Sequence, residues 1–177
     1  MKKKALALVL ALTLLVAGIV GGTLAWLTDQ TAEVKNTFTV GDINIGLTET
    51  TADYKMVPGN TIAKDPTVTV KANSEACWLF VQVTESTGLK DFITYAIAEG
   101  WTALPGVDGV YYREVPASAA DQTFAVLADD AVTVKSDVTR TMLETAKTDA
   151  PTLTFQAYAI QRDHFATADA AWVEVSK

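Results

Sequence analysis

The chain has 177 residues, of which 49% are hydrophobic and 20% are charged, and its formal net charge is −7 at pH 7. This length suits one compact domain, which buries on the order of 70% of the surface of its unfolded chain and needs no metal or disulfide to hold its core. The acidic balance argues against nucleic acid or anionic lipid as a partner. With Cys77 as the single cysteine, an intrachain disulfide is excluded.

The N-terminus has the three parts of a secretory signal peptide. A basic "MKKK" precedes the apolar stretch Ala5–Val20 and two glycines, and a small-x-small cleavage signal runs from Thr23 to Ala25. We therefore predict that residues 1–25 are removed and that the mature chain begins at Trp26 outside the cytoplasm. An uncleaved membrane anchor is the alternative, but the apolar stretch is shorter than the roughly 20 residues that a span needs. Cleavage removes three lysines and no acidic residue, which takes the net charge from −7 to −10.

The first half of the mature chain alternates apolar and polar residues, which is the pattern of half-buried β-strands. The apolar positions are even at Phe38 and odd from Ile43 onward, so we predict a bulge or tight turn at Gly41-Asp42. A turn at Pro58-Gly59 precedes an alternating strand at Val68 and Val70.

A dense apolar strand from Ala76 to Val83 is predicted to lie at the centre of a sheet. Apolar side chains occur on both of its faces, as expected for a strand that is covered on both sides. One face carries Cys77, Leu79, Val81 and Val83, and the other carries Trp78, Phe80 and Gln82.

The second half continues as short strands with one helix. Residues 92–97 fit a helical face or a strand, and the glycine and turn-rich sequence that follows favours strands. We predict strands at 101–104 and 110–115 joined by the "PGVDG" loop, two more around Asp129-Asp130, and a last long strand in "TLTFQAYAIQ". The segment 137–147 is predicted to be the helix, with Ser136 or Thr139 as its N-cap.

These elements predict an all-β protein. Many short strands with Gly and Pro turns and one short helix near 137–147 indicate an antiparallel β-sandwich with jelly-roll-like winding. Sandwiches leave strand edges exposed.

The residues that could perform chemistry are few. His164 is the single histidine, so its pairing with Asp163 indicates a solvated turn more readily than a metal ligand or a base. Cys77 lies in a strand dense with apolar residues, where a thiol behaves as a small hydrophobe rather than a nucleophile. No Gly-x-Ser-x-Gly or phosphate-loop motif occurs. We expect no enzyme activity and no cofactor.

Acidic and aromatic residues leave two further hypotheses open. Asp129-Asp130, Asp163 with Asp169, and Asp42 could chelate calcium at loop tips, but none has EF-hand spacing and a solvated acidic surface is the favoured interpretation. The tryptophans could form a carbohydrate-stacking platform, although their spread along the chain favours core packing and edge covering. They are Trp26, Trp78, Trp101 and Trp172.

Four stretches together are similar to the TasA/camelysin-like proteins of Gram-positive bacteria, which are exported through a SipW-type signal peptidase. The similarity covers almost the whole chain, and its most specific parts are the seam from Thr23 to Asp29, the strand pair from Phe38 to Leu47, and the Pro58-Gly59 turn with Lys64-Asp65 after it. The four stretches are "GTLAWLTD", "TFTVGDINIGLTE", "VPGNTIAKDPTVTVKANSEACWLFVQV" and "LTFQAYAIQRDHFATADAAW".

The resemblance implies a secreted jelly-roll subunit that polymerises head-to-tail into biofilm-matrix fibres by donor-strand complementation. It implies a signal peptide at 1–25, an N-terminal donor strand at 26–36 and a sandwich domain at 37–177, with membrane contact through the precursor alone. An extended segment at the new N-terminus can add to a neighbouring sheet, which supplies backbone hydrogen bonds and pockets for its side chains. The apolar donor residues are Trp26, Leu27, Ala32 and Val34.

Two alternatives accompany this hypothesis. The chain is shorter than the larger fibre-forming members, so it could be an accessory matrix protein or a monomeric surface adhesin. Some family members are described as camelysin-type metalloproteases, but this sequence has no recognisable metalloprotease zinc motif, so we do not expect that activity here.

Overall fold

The computed structural model describes residues 42–50 and 54–177, which form ten β-strands, three short α-helices and two 3-10 turns. The sequence predictions for the signal peptide, its cleavage site at Thr23, Ala25 and Trp26, and the donor residues Leu27, Ala32 and Val34 lie outside the described residues. The bulge predicted at Gly41-Asp42 also begins outside them.

The bounds of the elements follow the chain in order. The strands are β1 (Ile45–Thr48), β2 (Thr61–Ala63), β3 (Thr67–Val70), β4 (Cys77–Glu85), β5 (Ile93–Thr94), β6 (Thr102–Ala103), β7 (Val110–Val115), β8 (Gln122–Ala125), β9 (Ala131–Val134) and β10 (Leu153–Gln161). The helices are α1 (Leu89–Phe92), α2 (Arg140–Ala146) and α3 (Ala168–Val175), and the 3-10 turns are Ala128–Asp130 and Arg162–His164.

The strands form three antiparallel sheets that make two layers. One layer is the four-stranded sheet β10-β4-β7-β6, and the other combines β1-β3-β8 with β2-β9-β5. The two small sheets are continuous, because the Lys64 N–H donates to the Asp130 carbonyl at 2.7 Å and the Val126 N–H donates to the Pro66 carbonyl at 2.9 Å. Successive strands of the first half pair with strands of the second half in reverse order: β2 pairs with β9, β3 with β8 and β4 with β7. The predicted all-β antiparallel sandwich with jelly-roll-like winding is confirmed.

Strand β4 lies between β10 and β7 and is covered on both faces, as its sequence predicted. Its odd-numbered residues enter a core shared with Val68 and Val70 of β3 on the opposite layer. Its even-numbered residues Trp78 and Phe80 enter a second core that includes Trp172 of α3. The molecule therefore has three layers at this point: the two small sheets, the four-stranded sheet and helix α3.

The helices match the sequence prediction in part. Helix α2 lies inside the predicted 137–147 segment, and Thr139 is its N-cap because its side chain accepts a hydrogen bond from the Met142 N–H at 3.3 Å. The ambiguous segment 92–97 starts at the last residue of α1 and continues into the strand β5, as its sequence favoured.

Helix α3 was not predicted. It begins after Thr167, which accepts a hydrogen bond from the Ala170 N–H, and it buries Trp172 against Phe80 and Tyr158. Among the described residues, no helix is long and apolar enough to cross a membrane.

Because β4 is buried on both faces, truncating a valine in it should cost far more stability than truncating an exposed valine elsewhere. Val81→Ala removes methyl groups that are 0% exposed in β4, so we expect the free energy of unfolding to fall by about 2 kcal/mol. Val173→Ala is the matched control, since this valine of α3 is 63% exposed and its loss should change stability by less than about 0.5 kcal/mol. Denaturant unfolding followed by circular dichroism measures both, and equal effects would contradict the assigned core.

Candidate functional site

Strand β10 is a nine-residue edge strand with β4 as its one neighbour among the described residues. The Ser86 N–H donates to the Thr152 carbonyl and the Arg162 N–H donates to the Ala76 carbonyl, both at 2.9 Å. Because hydrogen-bonded pairs alternate along an antiparallel ladder, the even-numbered residues of β10 bond to β4. The backbone groups of the odd-numbered residues, such as Phe155 and Ala157, therefore point toward the free edge, where another strand can pair with them.

Two adjoining cavities lie where β10 begins. The first has a volume of about 430 Å³ and is lined by apolar side chains that include Met56, Ile62 and Val132. The second has a volume of about 290 Å³ and lies between β10 and the end of β1 at Leu47. Both are bordered by Leu153 and Thr154, so they form one groove. We call these two cavities and the free edge of β10 the strand-acceptor groove.

An ion pair between a buried lysine and a partly exposed glutamate forms one wall of the strand-acceptor groove. Lys64 is 7% exposed, and its Nζ lies 2.6 Å from Oε1 of Glu49. The same ammonium lies 4.7 Å from the Tyr54 ring centroid and 5.3 Å from that of Phe155 on β10. The Tyr54 hydroxyl donates to Glu49 at 2.7 Å, and burial together with this carboxylate raises the pKa of Tyr54. The lysine charge is thus balanced within the wall rather than exposed to an incoming strand.

A second set of hydrogen bonds holds the chain that follows β1. The Thr50 N–H donates to Oδ1 of Asp65 at 3.0 Å, and the Thr50 hydroxyl donates to Oδ2 of the same carboxylate. These hydrogen bonds lower the pKa of Asp65. Residues 49 and 50 are therefore fixed to 64 and 65, fifteen residues further along the chain.

The opposite flank of the sandwich is covered. The Trp101 indole donates to the Ala125 carbonyl of β8 at 2.8 Å, so it bridges the two layers. Next to it, the Ala98 N–H donates to the Val126 carbonyl and the Ala128 N–H donates to the Ala96 carbonyl, both at 2.9 Å. The edge-covering role that the sequence favoured for Trp101 is confirmed. On the other flank, β10 and β1 are edge strands among the described residues.

The other residues considered from the sequence do not converge on a site. His164 and Asp163 are exposed in a 3-10 turn, and Asp129 and Asp130 are exposed at a bend with φ of 56° and 49°. Within residues 42–50 and 54–177, no group of three or more His, Cys, Asp or Glu side chains is placed to hold a metal ion. Asp42 and Asp169 are likewise exposed.

The cysteine and the core tryptophans are packing residues. Cys77 is 0% exposed, and burial raises the pKa of its thiol to about 11. Trp78 is buried, with its indole donating to the Phe165 carbonyl at 3.0 Å, and Trp172 is buried under α3. Core packing of these two tryptophans, which the sequence favoured over a carbohydrate platform, is confirmed.

No family model, no curated protein and no solved structure matches the chain.

Cys77 should resist alkylation in the folded protein. The thiolate is the reactive form, and a buried thiol with a pKa of about 11 supplies very little of it at pH 8. We expect iodoacetamide to add no mass to the native chain and one adduct to the chain unfolded in guanidinium, as measured by intact mass. Rapid labelling without denaturant would contradict the buried position.

The Asp65 anchor should make the protein acid-sensitive. A carboxylate whose pKa is lowered in the folded state contributes stability above its unfolded pKa of about 3.9, and this contribution is lost as the pH falls through the folded value. We expect Asp65→Asn to reduce the loss of stability between pH 6 and pH 2.5, measured by urea unfolding. Thr50→Val, which removes one donor to this carboxylate, should have a smaller effect in the same direction. An unchanged pH dependence in Asp65→Asn would contradict the assignment.

Proposed function

We propose that this protein is a secreted structural subunit that assembles head-to-tail into extracellular matrix fibres. In this proposal, the N-terminal segment Trp26–Asn36 of one subunit adds as a strand to the strand-acceptor groove of the next. The observation that carries the proposal is the free edge of β10, among the described residues, beside a groove that apolar and polar side chains line together. Strand addition of this kind gains affinity from main-chain hydrogen bonds and specificity from pockets for alternate side chains.

The length and pattern of the segment support this assignment. Strand β10 has nine residues, which span about 30 Å at roughly 3.4 Å per residue. The eleven residues from Trp26 to Asn36 are long enough to pair along that edge. In an extended conformation Trp26, Ala32 and Val34 share one face and can meet the apolar side chains of the groove, such as Met56 and Ile62, while Leu27 lies on the other face.

The start of the described chain and the two cavities lie at opposite ends of the sandwich, which supports assembly into a filament. The Asp42 carbonyl accepts a hydrogen bond from the Glu75 N–H at 3.0 Å, which places Asp42 near the end of the sandwich where β10 finishes. The two cavities lie at the opposite end, where β10 begins at Leu153. In this proposal the donor, which precedes Asp42 in the chain, extends from that end, so that donor and acceptor are different surfaces; such contacts generate filaments when they do not close.

Cleavage would control assembly in this proposal. The segment Trp26–Asn36 stays joined to the signal peptide until the SipW-type signal peptidase, which the family resemblance implies, separates Ala25 from Trp26. Polymerisation would therefore begin outside the cell, with accessory matrix proteins as possible additional partners. The mature chain would be part of the extracellular matrix or the cell surface.

Two variants test the donor and the acceptor separately. Deletion of residues 26–36 removes the donor and leaves the groove. Ala157→Pro removes an N–H that points to the free edge while leaving the bonds to β4, and proline is tolerated on edge strands for this reason. We expect each variant alone to be folded and monomeric, and electron microscopy should show fibres of the unmodified mature chain but of neither variant. Ala157→Val keeps the N–H and is the matched control that should still form fibres.

Mixing the two variants gives the sharper result. The donor of the Ala157→Pro chain can enter the intact groove of the deletion chain, after which neither a free donor nor a free groove remains. Sedimentation velocity should therefore show a 1:1 dimer in the mixture and monomers in each component. Fibres from either variant alone would contradict donor-strand assembly. Monodisperse unmodified protein at every concentration would favour the adhesin alternative.

A further inference from the structure

We propose that a separate cavity, on the other side of Ile93 from the strand-acceptor groove, binds an acidic saccharide. Ile93 lines both this cavity and the groove. The cavity has a volume of about 440 Å³ and lies between the end of β4 at Glu85, the β7 residue Tyr111 and Lys135 after β9. This volume falls within the roughly 300–1,000 Å³ of small-molecule sites and exceeds what a bare inorganic anion would fill.

The charges around this cavity favour a carboxylate ligand. Glu85 is already balanced, because Oε2 lies 3.2 Å from Nζ of Lys90 and Oε1 accepts the Tyr95 hydroxyl at 2.5 Å. Lys135 also lines the cavity, and in the described part of the chain no carboxylate forms an ion pair with it. An ammonium that has no ion-paired carboxylate among residues 42–50 and 54–177 gives this part of an otherwise acidic protein a local site for an anion.

The remaining walls suit a sugar ring. Tyr95 and Tyr111 are half-buried, and together with Ile93 and Ile97 they supply an apolar surface for the C–H face of a pyranose. Burial and the hydrogen bond to Glu85 raise the pKa of Tyr95, so its hydroxyl remains protonated. Since that proton is donated to Glu85, the hydroxyl oxygen is left as an acceptor for a sugar hydroxyl.

A hexuronate combines the required features. It carries one carboxylate for Lys135, hydroxyls for the Tyr95 oxygen, and an apolar ring face for the tyrosines. This inference does not depend on fibre assembly, because the residues of the cavity lie on β4, β5, β7 and the segments beside them.

Calorimetric titration of the mature protein with digalacturonate, and with the neutral disaccharide galactobiose, tests the proposal. We expect saturable binding of digalacturonate that weakens as salt is added, and much weaker binding of galactobiose. Lys135→Gln should lower the affinity for digalacturonate about tenfold, as expected for loss of a charged hydrogen bond. Lys147→Gln is the matched control, because this lysine lies after α2, pairs with Glu144 and should leave binding unchanged.

Three results would overturn the proposal. They are no binding of digalacturonate at millimolar concentration, equal affinity for the acidic and neutral disaccharides, and an unchanged affinity in a folded Lys135→Gln protein. Fibre formation by Lys135→Gln, followed in the same samples by electron microscopy, should match that of the unmodified chain. A failure of saccharide binding in protein that still forms fibres would thus be separate from a failure of donor-strand assembly.

Discussion

The two-sided burial of β4 is the constraint on which the rest of the structure depends. Its odd-numbered side chains fill the space between the two layers, and its even-numbered side chains require a cover that helix α3 supplies through Trp172. Because β4 bonds to β10 on one side and to β7 on the other, it also fixes the register of both neighbours. Among the described residues β10 is an edge of this sheet, because β4 is its one hydrogen-bonded neighbour.

The two flanks of the sandwich differ in a way that bears on assembly. On the β8 side, the segment 96–101 crosses between the layers, and the Trp101 indole bonds to a backbone carbonyl that would otherwise be exposed. On the β10 side, no crossing segment occurs among the described residues, and the strand-acceptor groove exposes core residues such as Ile62 and Val132 beside polar ones. Exposed strand edges are usually protected because they promote association. Among the described residues one flank is covered and the other is not. This difference is consistent with the proposed strand addition at the β10 edge.

The ion pair in the wall of the groove requires removing charged groups from water. Lys64 loses water when it pairs with Glu49, so the pair adds little net stability, whereas removing Glu49 would leave the buried ammonium of Lys64 without its carboxylate. Its position over the rings of Tyr54 and Phe155 holds the end of β1 against the start of β10. We interpret the pair as a device that fixes the shape of the groove. The cavity proposed to bind a saccharide differs, since no carboxylate in the described part of the chain forms an ion pair with Lys135 there.

The sequence by itself determined the elements whose pattern is local. Alternation identified β4 and β10, and helical spacing with Ser136 or Thr139 as candidate caps placed a helix at 137–147, of which the structure forms Arg140–Ala146. Helix α3 was missed although Ala168, Ala171, Trp172 and Val175 have helical spacing, since eight residues rich in alanine give a weak signal. Only the tertiary structure decided that β10 is an edge, that Lys64 pairs with Glu49, and that Lys135 faces the residues of β4 and β7. These facts join residues far apart in sequence, and alternation along one strand contains no information about which strand lies beside it.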